Sequence, residues 1–184
     1  MSQTGRVQVR DRPAARPATA EDVPEIARIC AAGWRDTYAG RHPPSYIEEI
    51  IAEFYHPERV AAEVGEREDW GGYVVAELGG KVLVAGGGGL IGPGESELFV
   101  LYADPARRRL GGGSAVLGFI TDRQRQQGAH RQWVSVDPEN DLGLSFYRAH
   151  GFTEHGRRPA YRGDGESLRL ARTIASSGPG LRSR

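Results

Sequence analysis

The chain carries a single cysteine, Cys30, so an intrachain disulfide is excluded and a reducing compartment, the cytoplasm, is the expectation. It has no surplus of either charge. Lys and Arg total 24 against 24 Asp and Glu, and no net field draws in nucleic acid or an acidic membrane surface. Only one of the cations, Lys81, is a lysine, so a nucleotide-binding loop of the form G-x-x-x-x-G-K-[ST] has no lysine to use. No apolar run is long enough to span a bilayer, and the N-terminal residues lack the charged-then-apolar order of a secretory leader. These absences leave a chain of 184 residues, enough for one domain with its own core.

What the chain does have is glycine, 26 residues of it, concentrated at residues 86–89 and 111–113. Residues 1–13 are polar and aperiodic and read as a mobile leader. Residues 14–173 read as the single domain, and the Ser/Gly/Arg-rich residues 174–184 as a disordered tail. Thr19 with Asp22, just after residues 14–18, resembles a capping box. Val23, Ile26, Ala27, Cys30 and Trp34 then repeat at helical spacing, with Tyr38 a turn beyond. Cys30 at this spacing reads as packing.

Tyr46, Ile47, Ile50, Ile51 and Phe54 predict a second helix after Pro43-Pro44, and residues 60–67 a further turn or two. Residues 70–77 and 81–90 read as a hairpin about Gly79-Gly80. Four successive glycines inside its second strand imply a bulge or a close backbone approach. A strand over Glu95–Ala103, another over residues 132–136 and a last one over residues 167–172 follow, with residues 157–165 read as a loop.

Residues 98–117 hold the strongest motif. Apolar residues from Leu98 to Tyr102 make a strand that Asp104-Pro105 stops, and Arg107, Arg108 and Arg109 lead into Gly111-Gly112-Gly113-Ser114 and an apolar helix. Glycines let several N–H groups converge at a helix start, where the dipole favours negative charge. Adjacent arginines add charge-assisted contacts to phosphate oxygens. The dinucleotide pattern G-x-G-x-x-G fails, because Val116 stands at its third glycine. The pattern R-x-x-G-x-G fits instead, as Arg108-Arg109-Leu110-Gly111-Gly112-Gly113, and resembles the acyl-CoA motif of the GNAT superfamily of N-acetyltransferases. About thirty residues later, N-D-L-G-L-S-F-Y-R-A-H-G-F from Asn140 to Phe152 is similar to a second superfamily signature, N-x-x-A-x-x-F-Y-x-x-x-G-F. Leu142, Ser145, Phe146 and Ala149 are expected on one helix face, with Tyr147 off that stripe and aimed into a cleft.

The resemblance implies an α/β fold with a mixed, twisted sheet of six to seven strands flanked by helices, its central strands splayed. It also implies acetyl-CoA as co-substrate, no metal, a small-molecule amine as partner and a possible homodimer. Pyrophosphate would lie on the N–H groups of Arg109, Leu110, Gly111, Gly112, Gly113 and Ser114, with Arg108 or Arg109 adding charge. Pantetheine would run along Leu101, Tyr102 and Ala103, held also by Asn140. A strand N–H near Leu101 would stabilise the oxyanion. Tyr147 is the candidate general acid and Glu97 the candidate base, with Glu95 or a water chain as alternatives.

Trp34 and Tyr38 are candidate acceptor contacts, and Asp36, Glu48 and Glu49 could attract a cationic amine. The stretch from Trp34 to Tyr38, with Tyr161-Arg162-Gly163-Asp164, resembles the spermine/spermidine acetyltransferase type. Amino-acid derivatives, aminoglycoside-like amines and protein N-termini or lysines stay open as acceptors. A non-catalytic acyl-CoA sensor is the competing class. Leu110, Gly112, Gly143 and Ser145 depart from the usual pattern and would loosen the cradle without removing its N–H groups.

Overall fold

A computed structural model describes residues 12–160 and 165–174. The leader, the tail beyond Ile174 and the Tyr161-Arg162-Gly163-Asp164 motif lie outside the described residues. The chain runs β1 (Ala14–Pro17), α1 (Val23–Tyr38), α2 (Pro44–Phe54), α3 (Pro57–Glu63), β2 (Tyr73–Leu78), β3 (Lys81–Gly92) and β4 (Glu95–Ala103). There follow α4 (Gly112–Gln126), β5 (Arg131–Val136), α5 (Asp141–Ala149), β6 (Thr153–Pro159) and β7 (Glu166–Thr173). One seven-stranded sheet results, in the order β1-β2-β3-β4-β5-β7-β6. Every neighbouring pair is antiparallel except β4 with β5.

Alternation along the central strands builds a core on each face of this sheet. Val74 and Ala76 of β2 point to the α4 side, where they meet Leu98, Val116, Leu117, Ile120 and Val134. Tyr73 and Val75 point the other way, onto Ile26, Ile29 and Cys30 of α1 and Val60 of α3. Each fully buried Leu, Ile or Val side chain stabilises the fold by roughly 1.5–3 kcal/mol. Cys30 is wholly buried in this second layer, and desolvation drives its thiol pKa upward, which makes it packing rather than a nucleophile.

The capping box forms: the Thr19 N–H donates to Asp22 Oδ2 at 2.8 Å. Other elements differ from expectation for local reasons. The third helix starts earlier, at Pro57, because His56 caps it by accepting from the Arg59 N–H, and it ends at Glu63. Strand β2 begins at Tyr73, because Trp70 is used in a turn closed by backbone bonds with Arg67, and its indole N–H donates to the Glu63 carbonyl at 2.7 Å. The stretch expected to be a loop from residue 157 is in part β6. Its residues are all exposed and carry no apolar alternation to betray a strand, yet they pair with the outer edge of β7.

Two irregularities of the sheet create the site. Strands β4 and β5 stay in register only from Glu95↔Arg131 to Leu98↔Val134, after which they part. On its other side β4 follows β3 out to Val84↔Ala103, with Phe99 bulged out between Gly87↔Val100 and Gly88↔Leu98. The glycine run of β3 is thus spent on a bulge and close approaches. The Trp70 ring lies directly on Gly87, where a Cβ would collide with it.

Candidate active site

Beyond Leu98, β4 offers one open backbone edge. Leu101 and Ala103 lean on the α4-side core, and Tyr102 on the α1-side layer, so the backbone between them faces the gap left by β5. An extended amide-bearing chain could bond there as an added strand does.

At the end of β4, Asp104 accepts from the Ala106 N–H at 3.0 Å and from Arg28 of α1 at 3.0 Å. Burial alone would raise the Asp104 pKa, but these bonds outweigh it and hold the carboxyl below its usual range. The chain then turns through Arg109 (φ 64°) and Gly111 (φ 89°) into the first turn of α4. The first backbone bond closing that helix is Ala115 N–H to the Gly111 carbonyl, 3.0 Å, so the preceding N–H groups have no partner within the helix. Gly112 is buried against Val84, whose Cγ2 would lie 2.7 Å from any added Cβ, and Gly113 lies beside Phe146. Backbone N–H groups at the start of a 15-residue helix, at glycines with no side chains of their own, fit a pyrophosphate.

The neighbouring side chains divide. Arg108 is tied to Asp36 of α1 at 2.6 Å, whereas Arg109 and Leu110 are exposed. Ser114 meets His150, its Oγ 3.0 Å from Nε2, while the His150 Nδ1 side bonds the Phe146 carbonyl at 2.8 Å. Asn140 caps α5, its Oδ1 accepting from the Gly143 N–H at 2.9 Å.

Helix α5 corrects the expected stripe. Leu144 and Tyr147 are its buried residues, while Leu142 is 51% exposed and Ser145 and Ala149 also face outward. Tyr147 therefore does not stand off the apolar face but is part of it, edge-on to Phe146 and Phe152. Its phenol still lies within electrostatic reach of Tyr38, and desolvation drives its pKa upward, so it is a protonated donor at neutral pH.

On the α1 side of the sheet a cleft of about 830 Å³ opens beside the gap. Trp34, Tyr38, Tyr46, Trp70, Phe99 and Tyr102 contribute its aromatic walls. The Trp34 indole N–H donates to the Tyr55 hydroxyl at 3.3 Å, and the Trp34 and Tyr38 ring centres lie 4.3 Å apart, the rings tilted by 32°. Both residues thus serve packing and lining at once. The carboxylates expected to draw an amine are engaged elsewhere: Asp36 with Arg108, and Glu48 with Arg35 at 2.6 Å. Glu49 does not line the cleft.

Glu97 is 4% exposed, and its Oε1 accepts from Arg169 and, at 3.4 Å, from Ser135 Oγ, with Arg158 at 3.7 Å. Glu95 accepts from the Trp133 indole N–H. Neither glutamate lines the cleft: Glu97 is held by Arg169 and Arg158, and Glu95 by Trp133, on whose ring Arg131 and Arg169 lie.

Glu63, Asp69, Asp137 and Glu166 line the cleft although none was a sequence candidate, and Asp137 is the one that stands at the end of β5. Asp137 follows directly on β5 and shares the cleft lining with Ser135, two residues before it. The signal was available in the alternation, since Val134 and Val136 are core and Ser135 and Asp137 must face the other way. Among the described residues no three or more His, Cys, Asp or Glu gather to hold a metal ion.

Comparison with known proteins agrees with this geometry. A profile of the Acetyltransferase (GNAT) family matches residues 32–152. A spermidine N(1)-acetyltransferase of Thermoplasma acidophilum is 25% identical over 143 residues, covering 74% of this chain and 86% of that protein. The PaiA N-acetyltransferase of Thermoplasma acidophilum, solved with coenzyme A, superposes with a TM-score of 0.77 at 22% identity over 89% of this chain and 100% of that one. The ribosomal-protein-S18-alanine N-acetyltransferase of Escherichia coli does so with a TM-score of 0.64 at 20% identity, over 92% and 98%. The two superpositions speak for the fold, and the profile, spanning most of the chain, for the family. The splayed strands, the glycine-led helix and the matched residues 32–152 make this chain a member of the GNAT acetyltransferase family, with acetyl-CoA as its acetyl donor.

Proposed function

We propose that the enzyme transfers the acetyl group of acetyl-CoA to a primary amine of a small molecule by direct attack, without a covalent acetyl-enzyme. The observation that carries this reading is the aromatic cleft, which opens beside the free edge of β4 and is separated by the sheet from the α4-side core. Pyrophosphate would rest on the N–H groups of residues 109–114, with the exposed Arg109, which has no ion-pair partner among the described residues, supplying charge more readily than Arg108, which Asp36 already holds. Pantetheine would follow Leu101, Tyr102 and Ala103, and the amide nitrogen of Asn140, whose oxygen is spent on the helix cap, would reach its carbonyls.

The amine attacks the thioester carbonyl, a β4 N–H near Leu101 stabilises the oxyanion, and the C–S bond breaks. Tyr147, protonated at neutral pH, supplies the thiolate with its proton. Trp34 and Tyr38 would bound the acceptor. A small amine suits a recess that aromatic rings line on several sides, and the similarity to a spermidine acetyltransferase points to the same broad class of acceptor.

The test is calorimetric titration with acetyl-CoA, followed by a thiol-release assay over spermidine, arylalkylamines, amino acids, aminoglycosides and short peptides. Binding with turnover of one small-amine class is the expected result. Turnover of peptides alone, or acetyl-CoA binding with no turnover of any of them, would overturn the reading.

A further inference from the structure

Engagement of Glu97 and Glu95 by arginine and tryptophan leaves open which group receives the acceptor's ammonium. Asp137 stands one residue past Val136, where β5 has already parted from β4, and its side chain lines the cleft. Its Oδ1 accepts from the Glu139 N–H at 2.8 Å, which pins the carboxyl in a turn and leaves Oδ2 without a bond to any described residue. Tyr38 also lines the cleft, and its phenol feels the Asp137 charge. The carboxylate thus lies on the cleft beside the gap where the thioester would lie, with Tyr147 within electrostatic reach of Tyr38 on the cleft's lining.

We infer that Asp137 binds the ammonium of the acceptor and takes its first proton, and that the acceptor is a monoamine carried on an apolar or aromatic body. The inference rests on the small-amine reading above. Its second half follows from the charge balance of the cleft. Among the described residues Glu63, Asp69, Asp137 and Glu166 line it, against Arg59, Arg67 and Arg158. Glu63 is bonded to Arg59 at 2.9 Å and Glu166 to Arg157 at 3.2 Å. Such a lining offers room for one added cation rather than the three or four of a polyamine, while the rings supply the apolar and cation–π surface for the rest of the molecule.

The protons balance as follows. The ammonium gives one proton to Asp137, the neutral nitrogen forms the C–N bond, and the C–S bond breaks as Tyr147 protonates the sulfur. The nitrogen then loses a second proton, which returns Tyr147 to its phenol form, and the proton on Asp137 passes to solvent. One amide, one thiol and one solvent proton result.

Phenethylamine and its neutral counterpart 2-phenylethanol decide the matter by calorimetric titration against the CoA-saturated enzyme, with spermidine as a third ligand. The wild type is expected to bind phenethylamine about tenfold or more tighter than 2-phenylethanol. Asp137→Asn keeps the Oδ1 acceptor of the turn, and it should weaken phenethylamine about tenfold while leaving 2-phenylethanol and acetyl-CoA unchanged. Asp137→Glu should recover part of the loss. Equal binding of amine and alcohol by the wild type, or of phenethylamine by wild type and Asp137→Asn, overturns the role of Asp137. Spermidine binding tighter than phenethylamine overturns the monoamine class. Because these titrations need no turnover, they stand apart from the thiol-release assay, whose failure would instead strike the small-amine reading.

Discussion

Tyr147, the proposed general acid, is also a core residue. Its ring is 8% exposed and packs edge-on against Phe146 and Phe152, and its phenol lies within electrostatic reach of Tyr38. Tyr147→Phe retains the ring and the packing, so folding should be unaffected. If the phenol protonates the leaving thiolate, kcat should fall about a hundredfold while the acetyl-CoA dissociation constant stays within about twofold. Thiol-release kinetics with calorimetry separate the two. Gly87 makes a complementary case of pure packing. Trp70, anchored through its indole N–H to the Glu63 carbonyl, lies on it and cannot swing away freely. Gly87→Ala should cost roughly 1–3 kcal/mol by overpacking, readable as a lower urea midpoint.

Elements were legible to different degrees. Strand β4 and helix α4 could be read directly, because an apolar run, an Asp-Pro stop and a glycine cluster act locally on the backbone. The turn between them stores strain in Arg109, the one described non-glycine residue with positive φ. Arg109→Gly should raise stability by about 1 kcal/mol or more, seen as a higher Tm. The same change should weaken acetyl-CoA, because the exposed guanidinium beside the cradle is lost. A substitution that stabilises the fold and impairs the ligand would mark Arg109 as held in place for binding. Helix α5 was misread on its inner face: the apolar spacing of Leu142 and Phe146 suggested one stripe, whereas sheet contacts bury Leu144 and Tyr147. Strand β6 gave no periodic signal, since an edge strand exposed along its length needs no apolar side.

Across the whole molecule, ion pairs fasten the ends of the fold to its centre. Arg16 of β1 bonds Asp22 at 2.7 Å and Glu77 of β2 at 2.9 Å, and Arg28 of α1 bonds Asp104 below the cradle at 3.0 Å. Hydrogen bonds from Arg16, against an opposing effect of burial and with help from the Thr19 N–H, hold the Asp22 carboxyl below its ordinary range. A depressed carboxyl stabilises the fold fully above the unfolded value, about 3.9, and that stabilisation drains away as pH falls through the lower folded value. The Tm of the wild type should therefore drop below about pH 4. Asp22→Asn should lower Tm near neutrality and flatten that acid limb, as thermal melts over pH 2 to 7 would reveal. Unchanged steepness in the variant would assign the acid limb to other carboxylates.

By itself the sequence determined the features that arise within a few residues of one another. These are the Thr19 capping box, the stop after β4, the glycine-led start of α4 and the order of elements apart from β6, together with the family resemblance its motifs carried. Only the tertiary structure decided which carboxylates are paired with arginine and which line the cleft. Glu97 and Asp36 were reasonable candidates along the chain, but each meets an arginine brought from far away in sequence, Arg169 and Arg108. Asp137, without a motif of its own, comes to line the cleft because β4 and β5 part just before it. The physical reason is range. Caps and turns act between neighbours along the backbone, whereas the pairing of charges and the opening of a gap depend on strands that meet only after the sheet has formed.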